Sequence, residues 1–296
     1  MSLIRSELMK IRTTNTWWLF GIGVLFFTAV ALLLNILQAD IQIDDAVRTA
    51  SEPYVPPEGD VSPVEADLSR RQWEMSHDIN GVLRASAANI YTSGQFFGVM
   101  FVMLLGAILF TNEFHHQTAT ATFLTTPQRV KVILGKFGTV VIASAFFWLL
   151  TTAISLAAGS IFFNAKGYAT QLGEWPVTRA ILMNGLAFGL WGVLGVGLGV
   201  LIRNQIGAVL TGAIAYVIGS QVVGGVFQLI YFLWIQKDWV LKTSVVWPSV
   251  ASQVMVSPEQ TLLPSAPWWV GALVLIGYGL VFGLVGTLIT RRRDIS

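Results

Sequence analysis

Three histidines and one glutamate between apolar runs are the side chains best suited to bind a metal ion or to transfer a proton. His115 and His116 are adjacent, so a helix would point them in different directions and they could not both bind one ion. His77 stands alone in an acidic segment, where we expect it to be solvated. Glu113 has no nucleophile or second acid beside it, which argues against acid–base catalysis. We therefore expect no catalytic residue and no metal site, and we assign Glu113 to contact with another protein.

A second group of polar side chains stands inside apolar runs that could cross a membrane: Asn184, Gln221 and Gln228. Such groups can touch a substrate that crosses the bilayer. They more commonly hydrogen-bond between helices, a contact that contributes about 1 kcal/mol in membranes. We name the three as candidate positions on a translocation path and keep interhelical hydrogen bonding as the alternative.

The chain lacks the usual means of powering transport. The nucleotide-binding pattern GxxxxGK[ST] is absent, because Gly135-Lys136 is followed by Phe137 and has no glycine at the required upstream position. No Asp, Glu, Lys, Arg or His lies inside a predicted span away from its ends. Ion-driven transporters usually need such buried groups. We therefore expect that this chain is not an enzyme and that any ATP is hydrolysed by a separate protein.

Composition indicates the fold class. Of 296 residues, 54% are hydrophobic and only 11% are charged, which is more apolar surface than a soluble domain can bury. The sequence contains no cysteine, which excludes disulfides and thiolate metal sites. We predict an all-α polytopic membrane protein, since about 20 apolar residues cross a bilayer as a helix. The six predicted spans are 17–37, 92–111, 137–163, 179–202, 206–230 and 268–290.

The segments between the spans also carry helical patterns. Residues 1–16 predict an amphipathic helix at the membrane interface, with a frayed basic tail as the alternative. In the 38–91 loop, Ser62 and Glu65 form a capping box around Pro63 and predict a helix over about 63–84. That helix could cover a transport path, but packing on the ends of the spans is the more common role. Residues 231–267 are rich in Trp and Pro and predict an outer helical or re-entrant segment.

The distribution of charge predicts the orientation. Segments 1–16, 112–136, 203–205 and 291–296 together carry ten Lys/Arg and three acids, whereas the longer opposite segments carry eight Lys/Arg and 13 acids. Excess Lys/Arg marks the cytoplasmic side of a membrane protein. Both termini and the 112–136 loop are therefore expected in the cytoplasm.

The 112–136 loop has a distinctive polar sequence, NEFHHQTATATFLTTPQRVKVILGK. Asn112 can cap a helix that has Glu113 in its first turn. Pro127 disfavours helix at Thr126, which can then cap a second helix. We predict a short helix, a kink and a helix that rises into the membrane.

The order Glu113, Thr118, a run of Thr and Leu, Pro127, Arg129 and Lys136 resembles the first cytoplasmic loop of ABC-2-type transporter permeases. The preceding run, IYTSGQFFGVMFVMLLGAILFTNEF, resembles the second span of that family, and VWPSVASQ resembles its outer re-entrant segment. The resemblance is specific over about residues 91–140. Gln117 stands where the family usually has glycine.

The resemblance implies a function and partners. It implies the permease subunit of an ABC exporter in a bacterial inner membrane, with two copies of the permease or a sister permease, and two ATPase subunits that hold ATP and Mg. In that family the coupling helix contacts the ATPase. The resemblance implies the same role for Glu113, Phe114, Thr118, Leu124, Pro127 and Arg129. We expect membrane lipid but no nucleic acid as a further partner. The alternative hypothesis is an ATP-independent channel or scaffold, and a membrane enzyme is the third choice.

Overall fold

A computed structural model describes residues 3–59, 61–115, 129–202, 204–257 and 261–292. These residues form helices and connecting turns, and they contain no β-strand. The α-helices are α1 (Leu3–Thr13), α2 (Thr16–Thr49), α3 (Pro63–His77), α4 (Ile79–Tyr91), α5 (Gln95–His115), α6 (Arg129–Ala165), α7 (Trp175–Leu201), α8 (Gln205–Ile230), α9 (Asp238–Thr243), α10 (Pro248–Val256) and α11 (Trp268–Arg292). A π-helical turn (Tyr231–Ile235) follows α8, and a 3-10 turn (Ser244–Val246) follows α9.

Six helical segments are long and apolar enough to cross a membrane, so the prediction of an all-α polytopic membrane protein is confirmed. They are Trp17–Thr49, Ile79–Glu113, Val130–Ala165, Trp175–Leu201, Gln205–Ile235 and Trp268–Ile289. The second segment joins α4 to α5 through a short break. There the hydroxyls of Thr92 and Ser93 donate to the carbonyls of Ala88 and Ile90, which gives two carbonyls in the last turn of α4 partners within the chain.

The centre of the bundle is formed by α5 and α7. In the apolar window of Ile79–Glu113, 72% of the residues are buried, against 17% in that of Trp17–Thr49, so the second span is central and the first peripheral. The backbones of α5 and α7 touch. A Cβ atom on Gly195 would overlap the carbonyl of Met103, and one on Gly106 would press on the carbonyl of Gly192. Glycine therefore sets the close approach of the two helices.

The segment after the first span differs from its prediction. The helix α2 continues to Thr49, because its acidic end can leave the apolar layer and remain helical in water. The predicted capping box is confirmed, with the Ser62 hydroxyl accepting from the Glu65 N–H and the Glu65 carboxylate accepting from the Ser62 N–H. The structure has two helices where the sequence predicted one over 63–84. Asp78 separates them and caps α4 by accepting from the N–H of Gly81.

The 231–267 segment is largely helical and is tied to the spans by side chains. The Gln95 amide donates to the Ser252 carbonyl at 2.8 Å, and the Arg179 guanidinium donates to the Ser257 carbonyl at 2.8 Å. The same guanidinium lies 5.3 Å from the centre of the Trp268 ring. The Gln95 contact lies at the start of α5, and the Arg179 contacts lie near the starts of α7 and α11. We call this end of the bundle the cap end. The opposite end, where α5 finishes and α6 begins, is the loop end.

Candidate functional site

The N-terminal helix α1 packs on α6 at the loop end. Leu3 and Ile4 contact α6 at two glycines, Gly135 and Gly138, where a side chain would meet them within 3.2 Å. Ile11 packs in a cluster with residues of α5, α6 and α7. The apolar side of α1 is therefore directed at the protein, and its exposed residues include Arg5, Met9 and Arg12.

Four charged side chains from three helices meet beneath α1, and we call them the ionic quartet: Glu7 and Lys10 of α1, Glu113 of α5 and Lys136 of α6. The Lys136 ammonium lies 2.9 Å from the Glu7 carboxylate and 3.0 Å from that of Glu113. It also donates to the carbonyl of Leu109 at 3.1 Å, so all three of its donors are used. Lys10 lies 2.6 Å from Glu7 and 2.8 Å from Glu113.

Burial makes the quartet unusual. The side chain of Lys136 is 1% exposed and those of Glu7 and Glu113 are 4% and 5% exposed, while Lys10 is 46% exposed. Removing a charge from water is costly unless partners replace the water. Two ammonium and two carboxylate groups at hydrogen-bonding distance supply that replacement and leave no net charge. Loss of any buried member would leave a charge without its counterion.

Two members of the quartet are brought together by the spacing along one helix. Glu7 and Lys10 are three residues apart and share a face of α1. Glu113 lies within α5, which begins at Gln95 and is described through His115, so the prediction that it opens a new helix is wrong.

No family model matches the chain, and no curated protein matches it.

The predicted partner-contact residues fall differently in the structure. The Glu113 carboxylate faces Lys10 and Lys136 inside the chain. Phe114 belongs to α5 and Arg129 to α6. Thr118, Leu124 and Pro127, and with them the predicted short helix and kink, lie outside the described residues. Their assignment to partner contact stays a prediction.

The three candidate path residues do not share one environment. Asn184 is 1% exposed, and its side-chain oxygen has no hydrogen-bond partner among the described residues. Gln221 and Gln228 are exposed on α8, seven residues and thus about two turns apart. Within a single chain, the amide on α7 is therefore part of the core, and the two on α8 point outward.

Reasoning from the sequence missed three members of the quartet. That reasoning uses Lys136 in the family pattern and in the test for a nucleotide-binding motif, and it includes Glu7 and Lys10 only in the count of charges over residues 1–16. The sequence offered one signal for the quartet. Segments 1–16 and 112–136, which are expected on the same side of the membrane, each contain one glutamate and several basic residues that could pair with it. Among the described residues, no group of three His, Cys, Asp or Glu is placed to hold a metal ion.

Proposed function

We propose that this chain is the permease subunit of an ATP-driven ABC exporter in a bacterial inner membrane, with both termini in the cytoplasm. The observation that carries the proposal is the ionic quartet. It lies where the 112–136 loop leaves α5 and enters α6, in the stretch that resembles the coupling loop of ABC-2-type permeases. A force applied to that loop would act on α1, α5 and α6 together, because the quartet joins all three.

In this proposal the work of ATP hydrolysis comes from two separate ATPase subunits that hold ATP and Mg. Among the described residues, the spans carry no Asp, Glu, Lys, Arg or His over residues 17–39, 85–112, 137–165, 180–201, 205–235 and 268–289, which supports an external source of energy over ion coupling. Thr118, Leu124 and Pro127 form the contact with the ATPase. Glu113 acts from inside the chain, by linking α5 to the lysines of α1 and α6.

The translocation path lies between two permease subunits. Exposed amides are costly in a lipid environment unless they find polar partners. Gln221 and Gln228 flank Gly224 and Gly225, where an added Cβ would meet nothing within 4 Å. A second copy of α8 could approach closely there, and a glutamine amide can both donate to and accept from its own copy.

The ATPase contact is tested by co-purification. The chain, tagged and expressed in its own host, is extracted in mild detergent and the proteins bound to it are identified. We expect a P-loop ATPase with wild type, and its loss in Leu124→Asp. The matched control is Leu262→Asp, at an exposed position of the cap end, which keeps the ATPase. Recovery of no ATPase with wild type would favour the ATP-independent channel or scaffold.

The subunit contact is tested by cross-linking, which is clean because the chain has no cysteine. Gln221→Cys and Gln228→Cys are expected to form disulfide-linked dimers in membranes. Ile161→Cys, 71% exposed on α6, is the control and should remain monomeric. Cross-links to a different permease chain would indicate a heterodimer, and equal cross-linking at all three positions would contradict the placement of the path.

A further inference from the structure

The outward side of α1 carries two arginines with a methionine between them. Arg5, Met9 and Arg12 are spaced i, i+4 and i+7, so they share one face of the helix, and all three are exposed. Ile4 and Ile11 hold the opposite side of α1 against the bundle. Neither arginine forms an ion pair or a side-chain hydrogen bond with another described residue. This face of α1 is therefore charged and open to a partner.

A lysine of α6 extends the charged face. Lys131 lies one turn before Gly135, on the face of α6 that receives Leu3, so it stands beside the start of α1. It is exposed and has no acidic partner in the described part of the chain. We call the three cations the basic surface: Arg5, Arg12 and Lys131.

The ionic quartet determines the sign of the exposed charge at the loop end. The acidic residues in the described part of that end are Glu7 and Glu113, and both are buried in the quartet. Among these residues, no exposed carboxylate neutralises the basic surface. The cap end differs, because Arg48 and Arg70 each pair with an exposed acid of the same helix. The cations of the loop end are thus available to an anion from outside the chain.

Apolar side chains around the basic surface place it at the edge of the bilayer. Met9, between the two arginines, is 45% exposed, and Leu134, beside the contact of α1 with Gly135, is 56% exposed. Trp17 and Trp18 are exposed at the start of the first span. Tryptophan is typical of the membrane–water interface. An anion that meets α1 at this depth is the headgroup of a lipid, and Met9 can reach the acyl chains below it.

We propose that the outward face of α1 binds the headgroups of anionic phospholipids. Each arginine presents a planar fork of donors that matches the oxygens of a phosphate, and Lys131 adds a third charge. Because Glu7 and Lys10 belong to the same helix, a lipid bound to α1 also holds the quartet in place. The inference rests on the membrane location of the chain and not on its coupling to an ATPase.

The test measures which lipids surround α1. Because the chain has no cysteine, Met9→Cys can carry a single bimane fluorophore. The labelled full chain is placed in nanodiscs that contain a fixed mixture of phosphatidylglycerol and phosphatidylcholine, and one or the other lipid carries bromine, a quencher, on its acyl chains. The ratio of the two quenching efficiencies gives the preference for the anionic lipid. We expect a preference of at least about fivefold, which is the contribution of one basic residue near an anionic surface.

Variants locate the site. The double variant Arg5→Gln/Arg12→Gln should lose most of the preference, whereas Arg5→Lys/Arg12→Lys, which keeps the charge, should retain part of it. The matched control Arg48→Gln/Arg70→Gln removes the same charge from the cap end and should leave the preference unchanged. A second control places the fluorophore at Ile161→Cys, on the exposed side of α6, where the two lipids should quench equally.

Salt and a soluble anion complete the test without changing the chain. High salt screens the exposed cations and should lower the preference of the wild-type surface. Glycerol phosphate in solution carries the same charged group as the lipid but no acyl chains, so it should not displace the lipid. Displacement by glycerol phosphate would identify a free anion as the ligand and would overturn the proposal.

Two further results would overturn it. The first is equal quenching by the two brominated lipids around Met9, and loss of the bound ATPase in Arg5→Gln/Arg12→Gln would then assign the basic surface to an acidic protein partner. The second is a preference that Arg5→Gln/Arg12→Gln retains in full, which would mean that the net charge of the protein attracts the lipid and that α1 does not bind it.

Discussion

A lysine lies near each end of the long helix α6, one inside the helix and one just after Ala165, and each lysine lies between two carboxylates. At the loop end the nitrogen–oxygen distances are 2.9 and 3.0 Å, and at the cap end they are 2.6 and 2.7 Å. The lysines are Lys136, with Glu7 and Glu113, and Lys166, with Asp40 and Asp44. Both sites pair one ammonium group with two carboxylates, and their nitrogen–oxygen distances differ by at most 0.4 Å.

Burial separates the two sites. Lys136 is 1% exposed, whereas Lys166 is 26% exposed and its partners Asp40 and Asp44 are 45% and 65% exposed. Water solvates the cap-end charges even when the pair is broken, so the pair there contributes little. At the loop end, a broken pair leaves a charge with neither water nor counterion. The same contact is therefore a surface feature at one end of α6 and a structural requirement at the other.

The sharpest test of this comparison is to remove each lysine in turn. Lys136→Met should lower the free energy of unfolding by about 3–5 kcal/mol, because the two buried carboxylates of Glu7 and Glu113 then share only the half-exposed Lys10 as a counterion. Lys166→Met should cause only a slight change. Thermal melting of the purified variants in the same detergent measures both effects.

Salt provides the control for that experiment. High salt screens exposed charges and should erase what remains of the Lys166 effect, while leaving the Lys136 effect largely in place. Equal losses of stability at the two ends would contradict the comparison. So would a Lys136 effect that high salt abolishes.

A double-mutant cycle would show whether the buried charges act as a unit. Glu7→Gln should cost about 1.5–3 kcal/mol, since a charged hydrogen-bond partner of Lys136 is lost. Combined with Lys136→Met, it should cost less than the sum of the single changes, with a coupling of about 2 kcal/mol. The cycle of Asp40→Asn with Lys166→Met should be close to additive. Additivity at both ends would indicate that the quartet is not a cooperative unit.

Much of the fold could be predicted from the sequence, because apolar length and helix caps are local properties. The six spans and the capping box at Ser62 follow from stretches of the chain that can be read one at a time. The extension of α2 to Thr49 was missed for a related reason. Hydropathy shows where the apolar layer ends, and the helix carries Asp40 and Asp44 beyond that point.

The ionic quartet could not be predicted in the same way. Its members come from residues 7, 10, 113 and 136, and only the packing of α1 on α6 brings them together. Lys136 reads as an ordinary basic residue at the start of a span, where lysines usually reach toward the membrane surface. Its burial depends on Glu7, which is more than 100 residues away and belongs to a helix expected to lie at the membrane interface.

Lys10 is the intermediate case, half exposed but hydrogen-bonded to two buried carboxylates. Partial burial alone would lower the pKa of Lys10, but hydrogen bonds to Glu113 and Glu7 outweigh it, so the pKa lies above its ordinary value of 10.5. A raised lysine pKa contributes stability that is complete below 10.5 and is lost as the pH rises through the folded-state value.

Lys10→Met should therefore cost about 1 kcal/mol or less at neutral pH, discounted for exposure. The difference from wild type should shrink only above pH 10.5. Arg5→Met on the same helix is the control, because a guanidinium keeps its charge throughout that range. Melting temperatures recorded across the alkaline range measure both. A Lys10 effect that disappears well below pH 10.5 would mean that burial lowers the pKa of Lys10 by more than Glu113 and Glu7 raise it.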